Sequence, residues 1–197
     1  MTKIVLASKS LSRQALLSGT GLTFDARASD VDESVIKAAE LAKGTSPADI
    51  ALLLAEAKAL ACNVAPDDIV IGGDQVMEFD GRLYDKPLDI AEAKTRLHDM
   101  AGREHHLRSG LVLAQGGEII WRHQDTATLW MRPVTHAELD GYFDVVGDRV
   151  LATVGAYELE GPGVRLFERI EGDYFTILGL SVMPLMAALR ARGLIPW

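Results

Sequence analysis

The fold is decided by a stretch near the N-terminus, residues 4–18, which reads IVLASKSLSRQALLS. Its first four residues are all apolar, as expected for a buried strand, and residues 11–18 have the spacing of a helix. A strand that runs directly into a helix is typical of an α/β fold. The joint between the two holds the hydroxyls and cations of Ser8, Lys9, Ser10, Ser12 and Arg13.

This strand-to-helix joint has the composition of an anion site. A helix N-terminus leaves backbone N–H groups unpaired and carries a partial positive charge. Hydroxyl, ammonium and guanidinium donors at the same point suit the oxygens of a phosphate group. The sequence therefore predicts an enzyme or binding protein for phosphorylated small molecules.

Composition limits the function classes. The chain has 197 residues, enough for one domain with a substantial core, and a net charge of −8. That charge argues against binding of nucleic-acid polymers, which requires a basic surface. No stretch has the form of a signal peptide or a membrane span, so we expect a cytoplasmic protein with no membrane partner. Cys62, the only cysteine, is expected to be a buried structural thiol.

Hydrophobic period and turn residues predict alternating strands and helices along the rest of the chain. Strands are predicted at residues 22–27, 69–71, 107–114, 118–131, 152–159 and 165–170, and helices at residues 34–43, 47–62, 90–100, 135–147 and after Pro184. A hairpin is predicted at residues 76–83, turned at Asp80-Gly81. Parallel units together with hairpins predict one α/β domain, a mixed sheet with helices on its faces.

Two acids are candidates for chemistry. Asp74 follows the predicted strand 69–71 across Gly72 and Gly73, which are expected to let the backbone turn sharply. Ligands bind at the carboxyl ends of strands in open α/β sheets, although Asp74 could equally cap a turn. Glu33 precedes a helix, where it either complements the helix dipole or binds a hard cation together with substrate phosphates.

Three cationic side chains are further candidates for the phosphate site, and each also has an ordinary structural explanation. Lys58 lies inside an alanine-rich helix, Lys86 follows the predicted hairpin, and Arg103 follows the helix stop at Gly102. The lysines could be ordinary surface residues, and Arg103 could cap its helix. The five histidines do not have the spacing of a metal site.

The chain resembles the Maf nucleotide pyrophosphatases over nearly its whole length. The matching blocks are residues 6–10 (LASKS) with Arg13, 31–33 (VDE), 57–59 (AKA), 71–76 (IGGDQV), 86–87 (KP), 100–103 (MAGR), 155–157 (GAY), 160–163 (EGPG), 170–174 (IEGDY) and 179–180 (GL). The resemblance implies one domain, residues 1–197, in which an elongated mixed sheet flanked by helices forms two lobes around a central cleft. This architecture is akin to that of the inosine triphosphate pyrophosphatases.

The resemblance also implies an activity: hydrolysis of a nucleoside triphosphate to the monophosphate and pyrophosphate, with a divalent cation (Mg²⁺ or Mn²⁺), by a homodimer with a housecleaning role. Asp74 matches the family's proton acceptor and, with Glu33, its metal-binding acids. The phosphate-handling positions match Ser8, Arg13, Lys58 and Lys86. The alternative is a nucleotide-binding regulator of cell division or septum formation with weak or no catalysis.

Three positions bear on the nucleobase. Gln75 and Glu160 stand where the dTTP/UTP-directed branch of the family usually has threonine and glutamine, and both resemble the 7-methyl-GTP-directed branch. The Glu160 carboxylate is expected to accept hydrogen bonds from N1–H and the exocyclic amine of guanine. Ser12 lacks the large side chain typical of the methyl-GTP branch, so the base preference stays open.

Overall fold

The computed structural model describes residues 2–196. The strands are β1 Ile4–Ala7, β2 Asp25–Arg27, β3 Ile69–Phe79, β4 Arg82–Tyr84, β5 Glu104–Gln115, β6 Glu118–Met131 and β7 Phe167–Glu171. The α-helices are α1 Leu11–Gly19, α2 Glu33–Ala42, α3 Pro47–Leu60, α4 Ile90–Met100, α5 His136–Val146, α6 Tyr174–Ile177 and α7 Val182–Ala191. Short 3-10 helices span Gly147–Ala152 and Pro162–Leu166.

The strands form a mixed sheet in the order β2-β1-β3-β5-β6-β7, with β4 paired to β3. β1 runs parallel to both β2 and β3, with Leu6 opposite Ile71. β3 pairs with β4 and β6 pairs with β7 in the antiparallel sense. The predicted α/β class, a mixed sheet flanked by helices, is confirmed.

The chain divides into two compact units. The first contains the described residues up to Gln75, Arg108–Asp125 and those from Tyr174 onward, and the second contains Val76–Leu107 and Thr126–Asp173. The central cleft and the grouping of the units into one domain stay predictions.

The core of the first unit lies on both faces of the sheet, because successive strand residues point to opposite sides. One face packs against α1 and α7 and includes Leu6, Ile69, Ile71, Leu17, Leu185 and Leu189. The other face packs against α3 and includes Val5, Ala7, Val70, Ala55 and Ala59. The all-apolar run 69–71 is therefore buried on both sides.

Side chains cap the starts of several helices. The hydroxyls of Ser10, Ser46 and Thr135 and the carboxylate of Asp89 each accept a backbone N–H in the first turn of their helices. Thr135 forms a capping box with Glu138. Glu138 also accepts hydrogen bonds from the Thr135 backbone and hydroxyl, which lower its pKa to about 2. These local signals account for most of the correctly predicted helix boundaries.

The predicted sharp turn at Gly72-Gly73 is wrong, because β3 continues through both glycines to Phe79. Gly72 is needed for packing instead: a Cβ there would lie 2.3 Å from the Ala55 carbonyl oxygen and 2.8 Å from the Ala59 Cβ. At Gly110 on β5, a Cβ would lie 2.5 Å from the Ala51 backbone. The two glycines let the backbone of α3 lie directly against the sheet.

Three other predicted elements differ from the structure. Residues 152–159 do not form a strand; they follow a 3-10 helix in a series of turns in which Ala156 has a φ of 57°. The predicted strand 22–27 is limited to Asp25–Arg27. Helix α7 begins at Val182 and not after Pro184. The proline is tolerated in the first turn because it removes only an N–H that has no acceptor within the helix.

The predicted hairpin and the predicted state of Cys62 are confirmed. Asp80 and Gly81 both have positive φ between the antiparallel strands β3 and β4. Cys62 is buried, and burial raises the pKa of its thiol. No helix within residues 2–196 has both the length and the apolarity that crossing a membrane requires.

Candidate functional site

The ammonium group of Lys58 lies between two carboxylates. Its Nζ is 2.5 Å from Asp74 Oδ1 and 2.8 Å from Glu33 Oε1. Lys58 and Asp74 are buried, whereas 40% of the Glu33 side chain is exposed. A single cation therefore faces two anions, and the cluster retains one negative charge in excess.

The packing of α3 on the sheet positions this cluster. Asp74 is two residues beyond Gly72 on β3, so both point toward the same face of the strand. Ala55 and Ala59 contact that face at Gly72, and Lys58 directly precedes Ala59. Close contact between helix and strand thus brings the Lys58 ammonium to the Asp74 carboxylate.

The strand-to-helix joint brings Ser8, Ser10 and Arg13 together. The Arg13 Nη1 donates to Ser8 Oγ at 3.4 Å, and the Arg13 backbone N–H donates to Ser10 Oγ at 3.4 Å. Ser8 and Arg13 are buried. A Cβ at Gly73 would lie 3.7 Å from Arg13 Nε, so the guanidinium lies against the face of β3 opposite the Asp74 side chain. Ser12 is exposed in the first turn of α1.

Gln75 points to the face of β3 opposite Asp74. Its Nε2 donates to the Thr176 carbonyl at 2.7 Å and to the Ser109 hydroxyl at 3.0 Å. Thr176 is fully buried and was missed by the sequence reasoning. No local signal identifies it, because its contacts with Gln75 and Asp125 join residues that are distant in sequence.

Lys86, Glu160 and Arg103 belong to the second unit. Lys86 and Glu160 are exposed, and their roles in the phosphate and base sites stay predictions. The Arg103 guanidinium pairs with Asp80 at 3.0 Å and lies over the Phe79 ring, so its side chain stabilises the hairpin rather than the end of α4.

Arg96 on α4 is a buried residue that the sequence reasoning missed. Its Nη1 donates to the Asp85 carbonyl at 2.5 Å and to the Val154 carbonyl at 2.6 Å, and its Nη2 pairs with Glu92 at 2.7 Å. The guanidinium thereby fixes the backbone immediately before Lys86.

A second buried polar pair lies in the second unit. His105 Nε2 and the Tyr157 hydroxyl share a hydrogen bond of 2.7 Å. Burial lowers the pKa of His105 to about 3, with a smaller contribution from His106, and burial raises the pKa of Tyr157. The pair is therefore neutral near pH 7.

The acid pair fits a hard cation. Glu33 and Asp74 both bond one nitrogen atom, so both carboxylates are within reach of a single positive centre. Residues 2–196 contain no group of three or more histidine, cysteine or acidic side chains arranged for a metal ion. Two carboxylates with the remaining positions left to water and phosphate oxygens are the usual donor set of Mg²⁺.

Comparisons with known proteins agree over nearly the full length. The family model described as Maf-like protein matches residues 3–192. A 7-methyl-GTP pyrophosphatase of Rhizobium meliloti (strain 1021) is 49% identical over 193 residues, covering 98% of this chain and 97% of its own. A nucleoside triphosphate pyrophosphatase of Maricaulis maris (strain MCS10) is 47% identical over 196 residues, covering 99% of each chain. The chain belongs to the Maf-like protein family.

Proposed function

We propose that the protein hydrolyses a nucleoside triphosphate to the nucleoside monophosphate and pyrophosphate. The observations that carry this proposal are the cluster in which Lys58 bridges Glu33 and Asp74, and the buried Ser8–Arg13 pair at the strand-to-helix joint. The names of the Rhizobium and Maricaulis relatives support the same activity.

Asp74 is the proposed proton acceptor. Its Oδ1 is held by Lys58, and its Oδ2 takes a proton from water as the water oxygen bonds to the α-phosphorus. The bond from that phosphorus to the bridging oxygen breaks, and the electron pair leaves with pyrophosphate. No covalent intermediate with the protein is needed.

Arg13, Ser8, Lys58 and Lys86 are the proposed phosphate-handling residues. Negative charge develops on the phosphate oxygens and the departing pyrophosphate, and donors already in place stabilise it. The hydrogen bond between Arg13 and Ser8 supports the proposal of a preformed anion site. Lys58 contributes by fixing the orientation of Asp74.

Glu33 and Asp74 are the proposed holders of Mg²⁺ or Mn²⁺. A divalent cation, when bound, neutralises charge on the triphosphate. Since the Lys58 ammonium already bonds both carboxylates, the two acids are arranged to share one positive charge.

The proposed substrate class is a modified nucleotide such as 7-methyl-GTP, removed in a housecleaning role. Glu160 supports a guanine-type base, whereas the exposed Ser12 lacks the bulk expected of that branch. The family resemblance further supports a homodimer in the cytoplasm, which light scattering and localisation of a tagged protein would test.

A kinetic screen tests the activity. Pyrophosphate release is measured with Mg²⁺ for 7-methyl-GTP, dTTP, UTP and other modified nucleotides.

Asp74→Asn should lower kcat by about a thousandfold while nucleotide binding is kept, because basicity is lost and shape is retained. The matched control is Asp68→Asn, since Asp68 is also buried and accepts hydrogen bonds from the backbone N–H groups of Lys3 and Ala65.

Three outcomes would contradict the proposal. Near-normal turnover by Asp74→Asn would remove Asp74 as the base. Release of orthophosphate alone would indicate a phosphatase. Nucleotide binding without product would favour the alternative of a division regulator.

The base preference has its own test. Glu160→Gln should lower the ratio of kcat/KM for 7-methyl-GTP over UTP by about tenfold, because the carboxylate no longer accepts two N–H donors of guanine. Glu168→Gln, an exposed acid on β7, serves as the control. An unchanged ratio in Glu160→Gln would place base selection elsewhere, with Ser12 the next position to vary.

A further inference from the structure

The connection between β4 and α4, residues 85–88, is held at both ends by side chains of α4. At its start, Arg96 Nη1 donates to the Asp85 carbonyl at 2.5 Å. At its end, the Leu88 backbone N–H donates to Glu92 Oε2 at 2.9 Å. Since β4 ends directly before this connection and the N-cap of α4 directly follows it, the two hydrogen bonds fix its first and its last residue.

The two side chains of α4 also bind each other. Glu92 and Arg96 are one helical turn apart, and Arg96 Nη2 pairs with Glu92 Oε1 at 2.7 Å. Arg96 is buried, its Cζ lies 5.1 Å from the centroid of the Tyr84 ring, and its Nη1 also donates to the Val154 carbonyl at 2.6 Å. The guanidinium therefore has a defined position relative to the connection.

Lys86 and Pro87 lie between the two fixed ends. A proline restricts its own φ to about −65° and has no N–H, and it also restricts the backbone of the residue before it, here Lys86. The Lys86 side chain is exposed, so its direction depends on the backbone that carries it. That backbone is in turn held by Glu92 and Arg96.

We propose that Glu92 and Arg96 are positioning residues that hold residues 85–88 and thereby direct the Lys86 ammonium toward phosphate oxygens. The inference rests on the proposed role of Lys86 as a phosphate-handling residue. Neither side chain needs to touch the nucleotide, because the Arg96 guanidinium is already bound to two carbonyls and a carboxylate. The loss of either side chain should therefore weaken phosphate binding only where Lys86 is present.

The physical reason is preorganisation. Lysine has a flexible four-carbon stem, and fixing it against a phosphate costs conformational entropy. A backbone that is already fixed removes the further cost of ordering the connection on binding. A misplacement of about 1 Å can cost about a hundredfold in rate, so a small movement of residues 85–88 is enough to be measured.

The test uses inorganic pyrophosphate with Mg²⁺ as the probe, with binding measured by calorimetry. Arg96→Met keeps the apolar length of the side chain but removes its donors, and should weaken binding by about tenfold. Glu92→Met leaves the Leu88 N–H without its carboxylate and should weaken binding by about fivefold. Lys94→Met is the matched control, since it is also on α4 but breaks an exposed pair with Asp140, and it should leave affinity unchanged.

A double-variant cycle separates positioning from a merely structural role. In a Lys86→Met background, Arg96→Met and Glu92→Met should each cost less than about twofold, because residues that act through one another are not additive. Circular dichroism at the assay temperature confirms that each variant is folded. If Arg96→Met does not fold, Arg96→Lys replaces it, because lysine keeps the charge but lacks the planar fork of donors.

Each contrary outcome has a defined meaning. Equal losses with and without Lys86 would overturn the proposal, because the pair on α4 would then act on the fold and not through Lys86. Full pyrophosphate affinity in Arg96→Met and Glu92→Met would overturn it as well. Wild-type affinity in Lys86→Met would overturn it together with the phosphate role of Lys86. Wild-type protein that binds pyrophosphate but hydrolyses no nucleotide would refute the proposed function alone, and the cycle would still decide the roles of Glu92 and Arg96.

Discussion

Two buried polar pairs differ in how burial affects their charge. Lys58 and Asp74 lie 2.5 Å apart with Glu33 as a second anion, so burial is compensated by opposite charge. His105 is fully buried beside a phenol and makes no ion pair within the part of the chain that the structure describes, and burial lowers its pKa to about 3. Burial suppresses charge where no partner supplies the opposite sign. The charged pair belongs to the candidate site, and the neutral pair belongs to a core.

The surroundings of His105 explain why its burial is tolerated. Its ring packs against the rings of Tyr157 and Phe167, at centroid distances of 5.6 and 5.9 Å. Among the described residues, its Nδ1 has no hydrogen-bond partner. His105 therefore behaves as an aromatic core residue with one polar contact.

Removing the cation of the charged pair should have the largest effect. Lys58→Met leaves two carboxylates facing each other, one of them buried, and should lower the free energy of unfolding by about 3 kcal/mol or more. Urea denaturation at neutral pH measures this loss. Lys43→Met, which breaks only an exposed pair with Glu40, should change stability little. Equal stability of the two variants would show that the Lys58 cluster is not a compensated ion pair.

The neutral pair should produce an acid-dependent loss of stability. The unfolded chain protonates His105 near pH 6.5, while the folded protein resists protonation until about pH 3. Stability from this residue is complete above pH 6.5 and decreases as the pH falls toward 3. The double variant His105→Phe/Tyr157→Phe should therefore lose less stability than wild type between pH 7 and 4 in urea titrations. His136→Gln, an exposed histidine, is the control; parallel curves for wild type and the double variant would contradict the interpretation.

The smallest effect is expected from the phenol alone. Tyr157→Phe removes the hydroxyl that bonds His105 Nε2 and should cost about 1 to 2 kcal/mol at pH 7. The exposed Tyr174→Phe should cost less, as measured by thermal unfolding. If Tyr157→Phe were neutral, the hydrogen bond would contribute nothing beyond the packing of the rings.

Local signals explain what the sequence predicts correctly. Caps such as Ser46 and Thr135, the Asp80-Gly81 turn and the apolar run 69–71 depend on residues close in the chain. Position in the chain made Glu33, Lys58 and Asp74 candidates, the family blocks assigned them roles, and the structure brings these three together.

Long-range contacts explain what the sequence could not reveal. From the sequence, Gly72 resembles a turn residue. Its role is to allow close packing of the sheet against Ala55 and Ala59 of α3, which are distant in sequence. Arg96 bonds a carbonyl 58 positions away at Val154, and Gln75 bonds one 101 positions away at Thr176. No hydrophobic periodicity or sequence motif predicts either of these contacts.

The contact between α3 and its two glycines has a consequence for motion. The helix backbone lies close against the sheet at Gly72 and Gly110, so any exposure of this contact to water requires the two layers to separate. Any such separation also withdraws the Lys58 ammonium from Asp74. Transient opening of this layer, measured as hydrogen exchange of the amides along residues 51–59, would therefore occur together with loss of the proposed catalytic arrangement.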